Sequence, residues 1–166
     1  MKRAGKRKWV ILLAAAAVLL TAYLICSRPM TMAQRYPMLT ADRCTEIRGY
    51  YGVGAEAEPR EFCVAQDDPE FQQLWQLFYG KEYRRALRDL LPRGTRYHRA
   101  LPEDFRWEVS FCFADVPMPD GSTGSGEMLR FENWYGQLDI FFDGTQRACR
   151  TAGQEAWSAQ VLELIQ

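Results

Sequence analysis

Four cysteines are the side chains of this sequence best suited to covalent chemistry, because thiolates can pair, bind metals or attack substrates. They are Cys44, Cys63, Cys112 and Cys149, and a fifth, Cys26, ends an apolar run. The sequence contains no CxxC and no Cys/His spacing of the kind that zinc sites use. In an oxidising compartment the four allow two disulfides, with three ways of pairing them. Cys44 and Cys63 flank a predicted hairpin and form the favoured pair, with buried free thiols as the alternative.

A basic segment at residues 81–106 interrupts an otherwise acidic region. It holds eight Lys/Arg against four acids, whereas residues 9–166 hold 16 Lys/Arg against 21 Asp/Glu. Guanidinium groups bind carboxylates and phosphates, so the segment is a candidate patch for an acidic protein or a wall polymer. The alternative is that these basic side chains lie on a solvated face and pair with the domain's own carboxylates. Residues 82–91 fit a helix slightly better than a short extended segment. The candidate patch consists of Arg84, Arg85, Arg88, Arg93, Arg96 and Arg99.

The other polar motifs do not predict catalysis. His98 is the sole histidine, and no Ser, Cys or Asp stands at a recognisable catalytic spacing from it. The Gly-rich run at 121–126 lacks the Lys-Ser/Thr of phosphate-binding loops and lies between two predicted strands, which favours a hairpin loop. We therefore predict no catalytic residue, no metal site and no cofactor. The net negative charge of the residues after residue 8 also argues against nucleic-acid binding.

Two amphipathic helices are predicted to cover one face of the fold. Residues 71–78 carry apolar side chains at i, i+3, i+4 and i+7, and Asp68 and Pro69 precede them as start signals. A second helix is predicted near the C-terminus, with Thr151 and Gln154 as a capping box.

Several strands are predicted before and between these two helices in the sequence. Residues 44–64 fit a short hairpin, and apolar side chains alternate through residues 106–116, which is typical of a half-buried strand. Asp143-Gly144 is a two-residue hairpin signal. The register it implies pairs Phe142 with Thr145, Ile140 with Arg147 and Leu138 with Cys149.

The N-terminal segment is predicted to be a membrane anchor. Residues 1–8 hold five bases and no acid, and residues 9–26 are apolar except for Thr21 and Tyr23. Eighteen helical residues span about 27 Å, close to the hydrocarbon thickness of a bilayer. The excess of bases on the N-terminal side predicts that the N-terminus is cytoplasmic and that the rest is outside. A cleaved signal peptide is the alternative, although the apolar run is longer than usual for one.

Two stretches, PDGSTGSGEMLRFENWYGQLDIFFDG and DPEFQQLWQLF, resemble small single-span exported proteins of gut clostridia that carry no assigned function. The resemblance covers residues 42–166 and implies an anchored α+β domain. It brings no catalytic residues with it.

The sequence as a whole predicts an α+β protein whose antiparallel meander of about four strands is packed by one to three helices. We expect a non-enzymatic binding or interaction domain at the cell membrane, with lipid contacts through residues 9–26. A hydrolase acting on cell-wall material and a structural subunit of a membrane complex are the alternatives. The predicted segments are a cytoplasmic basic segment (1–8), a transmembrane helix (9–26), a tether (27–41) and an extracytoplasmic α+β domain (42–166).

Overall fold

The protein has an α+β architecture in a computed structural model that describes residues 2–52, 58–86, 89, 106–134 and 137–166. The helices are α1 (Lys2–Cys26), α2 (Met32–Arg35), α3 (Phe71–Tyr79) and α4 (Gln154–Ile165). The strands are β1 (Met30–Thr31), β2 (Cys44–Gly52), β3 (Arg60–Ala65), β4 (Glu82–Arg85), β5 (Arg106–Pro117), β6 (Thr123–Trp134), β7 (Gln137–Phe142) and β8 (Thr145–Thr151). Within the described residues these eight strands form one antiparallel sheet, in the order β1-β4-β8-β7-β6-β5-β2-β3.

The predicted meander is confirmed as the centre of this sheet. Strands β5 to β8 follow one another in sequence and in space. Asp143 and Gly144 both adopt positive φ, as a tight hairpin turn requires, and the predicted register from Phe142↔Thr145 to Leu138↔Cys149 is present. The sheet is wider than the predicted four strands, because the predicted β2–β3 hairpin adds to one side and β4 with β1 adds to the other.

Helices α3 and α4 pack on one face of the sheet around a cluster of aromatic rings. Phe78 lies at its centre, with ring centroids 4.8 Å from Phe131, 5.2 Å from Trp157 and 5.7 Å from Trp107. The apolar stripe predicted on residues 71–78 is therefore core, as expected. Two indole N–H groups also tie the helices in place, since Trp107 donates to Ser158 Oγ at 2.7 Å and Trp157 donates to the Leu77 carbonyl at 3.0 Å.

The helix slightly favoured for residues 82–91 is wrong at its start, where the chain forms β4. Tyr83 pairs with Thr151 of β8, and its side chain is fully buried. The free edge of β8 thus offers backbone hydrogen bonds and an apolar site for Tyr83, and these tertiary contacts outweigh a weak helix propensity. Residues 87, 88, 90 and 91 lie outside the described residues.

Both predicted helix caps differ in detail from the structure. Helix α3 begins at Phe71, and Asp68 accepts a hydrogen bond from the Ala65 N–H at 2.7 Å instead of capping it. Helix α4 begins after Gly153 in the left-handed conformation, and no side-chain capping bond forms there. Thr151 belongs to β8, and its hydroxyl donates to the Glu82 carbonyl at 2.8 Å. The pairing of β4 with β8 thus takes the hydroxyl that the predicted capping box needed.

The predicted tether at residues 27–41 is instead largely part of the folded domain. Met32 and Leu39 are buried in the core, and the Tyr36 ring stacks on Phe142 with centroids 4.1 Å apart. The Tyr79 hydroxyl donates to the Leu39 carbonyl. The two prolines and the weak periodicity suggested a linker, but these apolar side chains fill the end of the core. Only residues 27–29 separate α1 from β1.

The predicted Cys44–Cys63 disulfide is not formed. Cys63 of β3 lies opposite Arg48, four positions along β2 from Cys44. This separates the two by about 13 Å at roughly 3.3 Å per residue, whereas a disulfide needs Cα atoms within about 7 Å. Cys44 is buried, Cys63 is exposed, and both are free thiols, as are Cys112 and Cys149.

Helix α1 leaves its apolar side chains uncovered by the rest of the protein. Trp9, Leu13, Leu19 and Ile25 are each 68–71% exposed. The stretch Lys8–Ile25 is, within the described residues, the one helical segment long and apolar enough to cross a membrane by length and composition.

Candidate functional site

The sheet face opposite α3 and α4 carries rows of polar side chains. Trp107, Val109 and Phe111 of β5 belong to the core, so the alternating residues Glu108 and Ser110 lie on the opposite face. Strand register places further polar residues beside them. One row runs through Tyr50, Glu108, Glu132 and Asp139, and the next through Arg48, Ser110, Arg130 and Phe141.

One open groove of about 570 Å³ lies over this face near β2, β3 and β5. The volume is within the range of small-ligand sites, roughly 300–1,000 Å³. Tyr50 supplies aromatic surface to its wall. Its charged lining consists of four carboxylates and one guanidinium, from Glu46, Glu61, Glu108, Glu127 and Arg48.

Glu108 is the most deeply placed of the groove carboxylates. Glu108 is 9% exposed, and the Tyr50 hydroxyl donates to its Oε2 atom at 2.7 Å. Burial, together with the hydrogen bond and charge of Glu108, raises the pKa of Tyr50 to about 12. Tyr50 therefore remains a hydrogen-bond donor throughout the physiological pH range and fixes the orientation of the carboxylate.

Arg130 links the carboxylates beneath the groove. Its guanidinium lies 3.2 Å from Glu132, 3.5 Å from Glu127 and 3.9 Å from Glu108, and it stacks over the Phe141 ring at 4.4 Å. Burial raises the pKa of Glu132 to about 7, and the charges of Glu108 and Asp139 add to this rise although Arg130 opposes it. Glu108 and Glu132 pair directly across β5 and β6, and Glu132 can hold a proton near neutral pH.

Ser110 is a buried polar group of the groove that lacks a partner. The residue is 2% exposed, and its Oγ makes no hydrogen bond within the described part of the chain. A buried hydroxyl without a partner costs about 1–3 kcal/mol. Because Ser110 also lines the groove, a ligand that displaces the side chains covering its Oγ can supply the missing hydrogen bond.

Two thiols lie near the groove, and both are held in the protonated form. Cys63 lines it, with Sγ 3.7 Å from Glu46 Oε2, and partial burial followed by the Glu46 charge raises its pKa. Burial raises the pKa of Cys112 to about 11. Since the thiolate is the reactive form, neither cysteine is activated as a nucleophile.

Gly49 allows β2 to approach β5 closely beneath the groove. A Cβ at this position would overlap the backbone oxygen of Glu108 and would lie 3.1 Å from the Phe62 ring. The missing side chain therefore brings the Glu46–Tyr50 segment and Glu108 together.

The structure describes two residues of the predicted arginine patch, Arg84 and Arg85, and the patch as a whole stays a prediction. Arg84 is exposed, whereas Arg85 binds the buried carboxylate of Asp89 at 2.5 Å. The two arginines are neighbours on β4 and so face opposite sides of the sheet. The remaining patch residues, Arg88, Arg93, Arg96 and Arg99, lie outside the described residues, as does His98.

The sequence interpretation missed the groove because it followed the apolar positions of the strands. The alternation in RWEVSFCF already assigned Glu108 and Ser110 to the face away from the core. What the alternation did not reveal was that β2 lies beside β5, which brings Glu46 and Tyr50 to the same face.

The donor set of the site does not correspond to a metal centre. Across the described ranges, no group of three or more His, Cys, Asp or Glu side chains is placed to hold one ion. The arrangement is that of a binding groove with excess negative charge and a buried hydroxyl. No family model, no curated protein and no solved structure matches this chain.

Proposed function

We propose that this protein is a membrane-anchored, extracytoplasmic binding domain whose ligand occupies the groove on the uncovered sheet face. The observation that carries the proposal is the hydroxyl of Ser110 in the lining of that groove, which is on a residue 2% exposed and has no partner in the part of the chain that the structure describes. A buried polar group without a partner is costly to stability, which favours a role in binding.

The proposed anchor rests on the N-terminal helix. The apolar side chains of α1 are exposed, and exposed apolar surface of this extent is unfavourable in water. Five bases precede this surface, which supports a cytoplasmic N-terminus by the positive-inside rule. With only residues 27–29 between α1 and β1, the domain would lie directly at the membrane surface.

The groove proposal is tested by site-specific photo-crosslinking in the full-length protein. A benzoylphenylalanine replaces Glu61 in the groove lining, and in a matched variant it replaces Glu163, an exposed residue of α4. After irradiation of membranes from the native host, mass spectrometry should find a defined adduct at position 61 and none at position 163. Equal adduct yields at both positions, or no adduct at position 61, would contradict the proposal.

A cell-wall hydrolase is the second candidate function, and the carboxyl pair of Glu108 and Glu132 is the observation that favours it. A carboxyl group with a pKa of about 7 suits general acid catalysis at neutral pH. The test is release of soluble fragments from purified cell walls. Release that is lost in Glu132→Gln would support hydrolysis, and equal release with and without the protein would exclude it.

A further inference from the structure

We propose that the ligand of the groove is an organic cation whose N–H groups belong to ammonium or guanidinium. This inference rests on the proposed binding function and names the chemical class of the ligand. It follows from the charge of the lining, from the unused acceptors within it and from the way the carboxylates are distributed.

The charge of the lining favours a cation. The lining holds four carboxylates and one guanidinium, and a second guanidinium, Arg130, lies within 4 Å of Glu108 and Glu127, so a formal excess of two negative charges remains. The guanidinium of the lining, Arg48, is 52% exposed and lies 3.4 Å from Glu46. Such exposed ion pairs contribute little to the free energy of folding. Arg48 can therefore move aside and leave the Glu46 carboxylate free to bind the ligand.

The deepest groups of the groove accept hydrogen bonds. Glu108 takes one from Tyr50 and has further lone pairs available, and the Ser110 Oγ has no partner in the described structure. A hydroxyl can donate as well as accept, and Ser110 lies between Arg48 and Arg130 across the strands, with Glu108 two residues away on the same face of β5. A ligand N–H would satisfy Ser110 and be attracted by Glu108 at the same time.

The carboxylates are too dispersed for a single metal ion. Glu61, Glu46, Glu108 and Glu127 stand on four successive strands, β3, β2, β5 and β6. Adjacent strands lie about 4.8 Å apart, so the negative charge extends over roughly 14 Å. An elongated cation with separated N–H groups fits this spacing. The aromatic surface of Tyr50 can contact its apolar or cationic parts.

Calorimetry on the full-length protein in detergent micelles tests the ligand class. The probes are spermidine and 1,5-diaminopentane as free amines, and an acetylated Lys-Ala-Lys amide as a source of lysine side chains. Saturable binding that weakens with added salt is expected for the cations. Tighter binding of the peptide would assign the ligand to a protein chain, and tighter binding of spermidine would assign it to free polyamines.

Two controls separate cation recognition from other binding. The neutral isostere 1,5-pentanediol should not bind, because it lacks the charge that the carboxylates recognise. Calcium chloride should not compete with 1,5-diaminopentane at equal ionic strength. Equal binding of the diol, or binding of calcium without binding of any amine, would overturn the proposal.

Variants locate the binding in the groove. Glu108→Gln should weaken binding of the tightest cationic probe by about tenfold or more, because one charge-assisted partner is lost. Ser110→Ala should weaken it by about threefold or more while the melting temperature stays the same or rises, since the substitution removes an unpartnered hydroxyl. Glu163→Gln is the matched control and should leave the affinity unchanged. Unchanged affinity in both groove variants would overturn the assignment.

The two proposals can fail separately. A defined adduct at position 61 combined with no binding of any cation would show that the ligand class is wrong while the binding function holds. Absence of both the adduct and cation binding would remove the proposed function itself.

Discussion

At the scale of single residues, the groove depends on polar groups whose states are set by burial. Tyr50 is kept protonated, Glu132 holds a proton near neutral pH, and Ser110 Oγ has no hydrogen-bond partner among the described residues. These groups lie on three strands, and each alone would be unremarkable on a sheet surface. Tyr50 and Ser110 line the groove, and Glu132 lies beside Glu108 in the same row of the sheet.

Glu132 should make stability fall as pH rises. Its pKa is about 7 in the folded protein, against 4.5 for the ordinary group, so the folded state holds a proton that the unfolded state releases. The free energy of unfolding should therefore decrease between about pH 5 and 8, by on the order of 2–3 kcal/mol from this residue. Glu132→Gln should remove that part of the decrease in chemical denaturation curves. Glu163→Gln, on exposed α4 surface, should not change it, and identical pH dependence in all three proteins would contradict the assigned pKa.

Much of the residue-scale structure followed from sequence, but the site did not. Apolar alternation identified Trp107, Val109 and Phe111 as core, and the Asp143-Gly144 turn set the β7–β8 register. The partners of Glu108 could not be predicted in the same way. Its hydrogen-bond donor, Tyr50, comes from β2, about 60 residues earlier in the chain, and local patterns do not specify such pairings.

At the scale of elements, the close packing of β2 on β5 shapes the groove. It depends on Gly49, where a Cβ would overlap the backbone oxygen of Glu108. Backbone atoms inside a sheet cannot move away as a flexible side chain can. The strands must therefore separate, or the register must shift, if this position carries a side chain.

Gly49→Ala should destabilise the domain and damage the groove. We expect a loss of about 2 kcal/mol or more, because an added methyl group is overpacked against backbone. Gly80→Ala is the matched control, since Gly80 has helical backbone angles and a Cβ there would lie 3.2 Å from only the Gln76 oxygen. Thermal unfolding of both variants measures the difference. A Gly49→Ala variant as stable as the parent would show that β2 and β5 are not packed this closely.

Two elements differ from the sequence prediction because tertiary contacts decided their conformation. Residues 82–85 pair with the edge of β8, and the segment expected to be a tether places Met32 and Leu39 in the core. In both cases the sequence signals were weak, with mixed periodicity or prolines. Strong local signals, such as the stripe on residues 71–78, gave the correct element.

At the scale of the whole molecule, the short connection between α1 and the sheet restricts where the groove can act. Residues 27–29 alone separate the helix from β1, and three extended residues span about 10 Å. With α1 in a bilayer, the domain would remain close to the membrane and sample ligands at that surface. The net negative charge of the residues after residue 8 would also repel the domain from anionic lipid headgroups.

The most direct test of the central claim is labelling of Cys63 on intact cells with a membrane-impermeant maleimide. The experiment uses a Cys26→Ser background, since Cys26 stands at the end of α1. Of the other cysteines, Cys63 lines the groove and is exposed, whereas Cys44, Cys112 and Cys149 are buried. An anchored domain that displays its groove outside should be labelled before lysis, at a mass that retains α1, and Cys63→Ser should lose this label. Labelling of Cys63 only after the cells are opened would contradict the proposed function.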